Sequence, residues 1–179
     1  MDKKEIKQQI TRMLAAGRSK TETFQAFAGG AAKDRLLAFW IASYSDQNLY
    51  EQHYKKINIL ITIIFIQALF GALVGFGLGM TIGPNAAWVF GALCGFIPLL
   101  FAYGFYRNYA GAYNIYILLS VIQIPRALAD FAEAPVISAI GMGITLAMLA
   151  FVWHLRTQLF PDFAFIKPKK VKGRYVFSN

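Results

Sequence analysis

From Asn58 to Tyr106 the chain has no Lys, Arg, Asp or Glu. That run is interrupted once, by the turn-like Thr81-Ile82-Gly83-Pro84-Asn85. About 20 apolar residues suffice for a helix to cross a hydrocarbon core of ~30 Å, so the run predicts two membrane helices joined by a tight turn. Each half carries the same heptapeptide pattern, Phe70-Gly-Ala-Leu-Val-Gly-Phe76 and Phe90-Gly-Ala-Leu-Cys-Gly-Phe96. Residues four apart share a helix face. Gln67, Gly71, Gly75 and Gly79 therefore form one stripe, and Gly83, Ala87, Gly91 and Gly95 form another. Small residues at this spacing let membrane helices approach closely, because packing must replace the hydrophobic drive that lipid removes. The expectation is a helical hairpin packed through glycine, with Gln67 as a hydrogen-bonding glue.

The rest of the composition fits that reading only because charge and grease are segregated. The chain is 57% hydrophobic yet carries a net charge of +9. Ten of its 18 Lys and Arg precede Asn58, and five more lie between Lys167 and Arg174. A basic balance raises nucleic acid as a partner. Basic flanks that orient membrane spans explain it better, so no nucleic-acid partner is expected. The single cysteine, Cys94, lies inside the second apolar run and excludes an intrachain disulfide.

The first 56 residues read as a small cytoplasmic helical head. Ile6, Ile10, Met13 and Leu14 recur at helical spacing, and Gly17 is placed to end that helix. Ser19 with Glu22 forms a capping-box signature for a second helix, which Gly29-Gly30 breaks. A third helix is expected from Lys33 to about Tyr44. Ser45-Asp46 then caps a helix running through Tyr50 and Tyr54 into the membrane. A helix-turn-helix reading fails because the third helix is too apolar to lie in a groove. No cleavable signal pattern is visible in this polar stretch, so the first span is expected to act as an uncleaved anchor.

Four spans are expected, at 57–80, 86–106, 109–129 and 135–155, making an all-α polytopic membrane protein with a transmembrane domain over 57–156. With the N-terminus inside, 17 basic residues fall on the cytoplasmic side and only Arg126 on the other. That asymmetry places both termini in the cytoplasm of a bacterial-type inner membrane. Residues 157–179 are expected as a basic tail, with Lys167, Lys169, Lys170, Lys172 and Arg174 resting on anionic lipid.

Chemistry-bearing groups are few. Both glycine stripes fall in the outer half of the bilayer, while Phe65, Phe101 and Tyr103 line the inner half and Pro98 favours a kink. Helices that touch outside and splay inside leave an inner wedge, with His154 at its edge, as a candidate cavity. Arg126 and Asp130, one turn apart, are expected to form an outer ion pair. His53 and His154 have no neighbouring Cys or paired carboxylates, so neither a metal nor a cofactor is expected. Zincin, nucleophile-elbow and P-loop motifs are missing. The function expected is therefore non-enzymatic: binding a protein partner, as an accessory subunit or in toxin protection. A small oligomeric channel or transporter, or a lipid-binding protein, are the alternatives.

Overall fold

The computed structural model describes residues 2–129 and 134–178. Seven helices run along these residues: α1 (Lys3–Ala15), α2 (Lys20–Phe27), α3 (Asp34–Ala42), α4 (Gln47–Met80), α5 (Pro84–Tyr106), α6 (Ala110–Ala129) and α7 (Pro135–Leu159). Two short strands follow, β1 (Lys170–Val171) and β2 (Arg174–Tyr175). The chain divides into two units, Met1–Leu49 with Arg156–Asn179, and Tyr50–Leu155.

Capping chemistry sets the helix ends of the first unit. The Asp2 carboxylate accepts from the Lys3 N–H at 2.6 Å, and the Asp2 N–H donates to Glu5 at 3.0 Å. These bonds belong to a reciprocal capping box that satisfies otherwise orphaned N–H groups. Gly17 ends α1 with φ +81°, and the Arg18 N–H reaches back to the Met13 carbonyl at 3.1 Å. A side chain at that left-handed position would be strained. Ser19 Oγ then accepts from the Glu22 N–H at 3.2 Å and starts α2. The Asp46 carboxylate accepts from the Asn48 N–H at 2.8 Å at the start of α4.

Three short helices are too few to enclose a core of their own. They bury Ile6, Ile10 and Leu14 of α1 with Leu37, Ala38, Ile41 and Ala42 of α3. The last residue of α7, Leu159, and the segment after it add what is missing: Leu159, Phe160, Phe163 and Phe177 are all buried. Phe24 meets Tyr175 and Phe177 at ring separations of 5.4 and 5.6 Å. Phe39 meets Phe163 edge-on at 5.6 Å. Residues 157–179, expected as a separate tail, thus pack with the head. Lys167, Lys169, Lys170, Lys172 and Arg174 remain exposed.

A tight hairpin shapes the end of this segment. Lys170 pairs with Tyr175 and Val171 with Arg174 in antiparallel register. The turn residues Lys172 and Gly173 both have positive φ, 49° and 81°. That combination belongs to the two-residue turns whose twist matches a hairpin.

In the second unit, three helices are long and apolar enough to cross a membrane: α4, α5 and α7. The expected third span, α6, is not among these three; Asn114, Gln123, Pro125 and Arg126 interrupt its apolar residues. Between α5 and α6, Asn108 adopts φ 49°, and the Tyr109 N–H bonds the Gly104 carbonyl at 2.9 Å. Asparagine tolerates this left-handed cap better than most residues.

Glycine contacts record how near the α4 and α5 backbones come. A Cβ built on Gly79 would lie 2.4 Å from Ala87 Cα, and one on Gly75 would lie 2.6 Å from the Phe90 carbonyl oxygen. On Gly71 it would lie 3.0 Å from the Cys94 carbonyl oxygen. From the other side, a Cβ on Gly91 would meet the Ala72 carbonyl oxygen at 3.2 Å, and one on Gly95 would meet Ala72 Cβ at 3.0 Å. Phe76 and Trp88 pack edge to face at 5.1 Å near the turn.

Candidate functional site

Polar side chains within apolar helices are the natural starting point, since each is costly in lipid and needs a partner or a cavity. On α6, Tyr116, Ser120 and Gln123 recur at four and three residues and so share one face. Aromatic packing fixes the first of them. The Tyr116 ring meets Phe101 edge-on at 5.4 Å and Phe105 at 5.8 Å. Its hydroxyl lies close to the side chains of Gln67 on α4 and Ser120 on its own helix.

These groups edge an open pocket of about 290 Å³ bordered by α4, α5, α6 and α7. Its polar lining is Gln67, Tyr116, Ser120, Gln123 and Thr145. Ile64, Ile97, Leu119, Ile144 and Met148 supply apolar walls, with Pro98 and Phe101 from α5. Gln67, Pro98, Ser120 and Thr145 each fall well inside their helices rather than at the ends. Three helices, α4, α6 and α7, thus contribute to one polar layer, and α5 adds apolar wall. No Asp, Glu, Lys, Arg or His lines it.

Two hydroxyls in the pocket already have a use for their hydrogens. Ser120 Oγ donates to the Tyr116 carbonyl at 2.9 Å, and Thr145 Oγ1 donates to the Gly141 carbonyl at 2.9 Å. Such back-bonding within a helix leaves the oxygen lone pairs facing outward as acceptors.

The expected inner-cavity residues divide. Pro98 and Phe101 line the pocket, whereas Phe65, Tyr103 and His154 do not; all three of those side chains are exposed. Gln67, expected to serve helix packing, is a pocket residue as well. The expected Arg126–Asp130 pair cannot be placed, since Asp130 lies outside the described residues. Tyr116, Ser120, Gln123 and Thr145 were missed by sequence reasoning. The signal for the first was available: Tyr116 completes the face on which Ser120 and Gln123 lie.

The first unit holds its polar groups differently. Asp162 is only 2% exposed and pairs with Lys20 Nζ at 2.6 Å. It also accepts from the Ser178 N–H, and from Ser178 Oγ at 2.8 Å. Arg156 is buried, donates to the Phe165 carbonyl and stacks over the Phe163 ring at 5.2 Å. A hollow of about 380 Å³ in this unit is bordered by Arg18, Lys20, Tyr44 and Asp46. Lys20 is already committed to Asp162, and Asp46 to the α4 cap.

At the α5–α6 turn, Arg107 Nε donates to the Tyr109 hydroxyl at 3.4 Å, and this bond raises the Arg107 pKa further above its usual range. Among the described residues no group of three or more His, Cys, Asp or Glu side chains is arranged to hold a metal. No protein-family model, curated protein or solved structure matches the chain.

Proposed function

We propose that this chain is a four-span protein of a cytoplasmic membrane, with both termini inside, that acts by holding a small lipid-soluble molecule between its helices. One observation carries the reading: the polar-lined pocket of about 290 Å³ among α4, α5, α6 and α7. Polar side chains within membrane helices turn toward cavities and ligands, because lipid offers them no hydrogen bonds. This places the lipid-binding alternative ahead of the protein-partner reading, which has no comparable contact behind it.

Parity supports the fourth span. Residues before α4 and after α7 join in one unit through Lys20–Asp162, Phe24–Tyr175 and Phe39–Phe163. Both ends of the membrane domain therefore share a side, which requires an even number of crossings. With α4, α5 and α7 as three of the proposed spans, a crossing by α6 gives that even number. Its Asn114 and Gln123 are tolerable there because neighbouring helices supply partners. The basic residues of both ends then favour the cytoplasmic side. The exposed set from Lys167 to Arg174 is available to anionic headgroups. Close contacts at Gly71, Gly75, Gly79, Gly91 and Gly95 support a hairpin packed through glycine.

A channel or oligomer reading keeps one specific observation. A Cβ on Gly141 or Gly143 of α7 would meet nothing within 4 Å, so that small-residue face has room for a second helix.

Native mass spectrometry of protein extracted from its own membrane tests the proposal. The wild type is expected to carry a small molecule, and the pocket-filling variant Thr145→Phe is expected to lose it. Wild type and variant with identical masses, corrected for the substitution, would overturn it.

A further inference from the structure

The chemistry of the pocket lining narrows what it can hold, given the ligand-binding reading on which this inference rests. We infer that the ligand is an uncharged amphiphile whose polar end is a hydroxyl or carboxamide and whose body is apolar. Three features of the lining lead there.

First, the pocket has no charged side chain. A carboxylate, phosphate or ammonium entering it would give up hydration without meeting a counter-charge, which is heavily unfavourable in low dielectric. Second, its hydrogen-bonding groups include both kinds. Ser120 and Thr145 spend their hydrogens on helix carbonyls and offer acceptor oxygens. The Gln67 and Gln123 side chains each carry an amide oxygen and two N–H donors. A ligand with acceptors alone would leave those oxygens unmatched, and a hydrocarbon would leave every polar group unmatched. A hydroxyl or a carboxamide both donates and accepts. Third, Ile64, Ile97, Leu119, Ile144 and Met148 form the remaining wall, which suits an alkyl or ring body. An open pocket of about 290 Å³ has room for a head and a short apolar segment, with any longer body extending out of it.

The same arrangement assigns Gln123 a specificity role. Its side chain is exposed on α6, so it is available to a ligand and is not needed for packing.

The test uses the full-length protein in neutral detergent, with thermal unfolding followed as five probes are titrated: octan-1-ol, octanamide, octanoate, octylammonium and octane. Octan-1-ol and octanamide are expected to stabilise the protein at concentrations about tenfold below the charged pair, the factor that one matched hydrogen bond supplies. Gln123→Leu is expected to leave the unliganded melting temperature unchanged and to weaken octanamide about tenfold. Tighter octanoate or octylammonium would overturn the neutral class while leaving the pocket reading intact. Octane matching the alcohol and amide would show that the polar groups do not select, with the same consequence. Stabilisation by none of the five, together with bare protein from native membranes, would overturn the pocket reading itself.

Discussion

Replacing each glycine of α4 with alanine adds one methyl group at four positions where the surroundings differ. At Gly77 the new Cβ meets nothing within 4 Å. At Gly71 it approaches a backbone oxygen to 3.0 Å, at Gly75 another to 2.6 Å, and at Gly79 it comes within 2.4 Å of Ala87 Cα. The last two contacts are too close to exist, and the obstacle is backbone rather than a flexible side-chain tip. Relief therefore requires the two helices to separate. Forcing extra methyl groups into close packing costs about 1–3 kcal/mol. Replacing a helical glycine by alanine returns about 0.5–1 kcal/mol in an exposed position. Gly77→Ala is therefore expected to match or exceed the wild type, and Gly79→Ala to fall below Gly77→Ala by about 2 kcal/mol. Gly75→Ala and Gly71→Ala should fall between them in that order. Reversible unfolding in mixed micelles measures the series, and about 2 kcal/mol corresponds to a change of about 30-fold in the folding equilibrium. Helix persists in such unfolded states, so the propensity term shrinks for all four variants and the difference between them survives. Equal stability of Gly79→Ala and Gly77→Ala would refute a hairpin held by close glycine packing.

Other perturbations address the rest of the account. Asp162→Ala strips the partner from a Lys20 side chain that is 13% exposed and should destabilise the head–tail unit by about 3 kcal/mol. Faster proteolysis after α7 reports it, and an unchanged cleavage rate would contradict the pairing. Gly173→Val puts a β-branched residue at φ +81° and is expected to cost about 1–2 kcal/mol, seen as faster amide exchange in β1 and β2. Unaltered exchange there would exclude the tight turn. In a Cys94→Ala background, cysteines at Lys4 and Lys167 should react with an impermeant reagent from the same face of the membrane. Labelling from opposite faces would rule out an even number of crossings.

Much of the helical frame is legible in the residues because its signals are local. Gly17 and the Ser19 and Asp46 caps act within a few residues of themselves, so they mark where α1 ends and where α2 and α4 begin. Length and apolarity suffice for α4, α5 and α7. On α6 those local signals conflict: Asn114, Gln123, Pro125 and Arg126 interrupt a helix of span length. Whether it crosses depends on what surrounds it. The segment after Leu159 is harder still. Its basic residues suggest a solvated tail, yet Asp162, Phe163 and Phe177 are buried by partners distant in sequence, among them Lys20, Phe24 and Phe39. The Lys172-Gly173 turn lacks the Asn-Gly or Asp-Gly pair that marks such hairpins most clearly.

The pocket shows the same division. Pro98 and Phe101 were visible as features of one helix, and so was Gln67 at the head of its stripe. Their convergence with Ser120 and Thr145 is a property of four helices packed together, which no single periodicity carries. Tyr116 was hidden by its aromatic ring, which reads as an interfacial or packing residue, and its place at the pocket beside Phe101 emerges only from the packed helices.

An experimental density map of the protein in nanodiscs made from its native lipids examines the space between Gln67, Pro98, Ser120 and Thr145 directly. The account anticipates non-protein density there, with its polar end within hydrogen-bonding distance of Gln67 or Gln123. Helices closed on one another, with side chains filling that space, would contradict it.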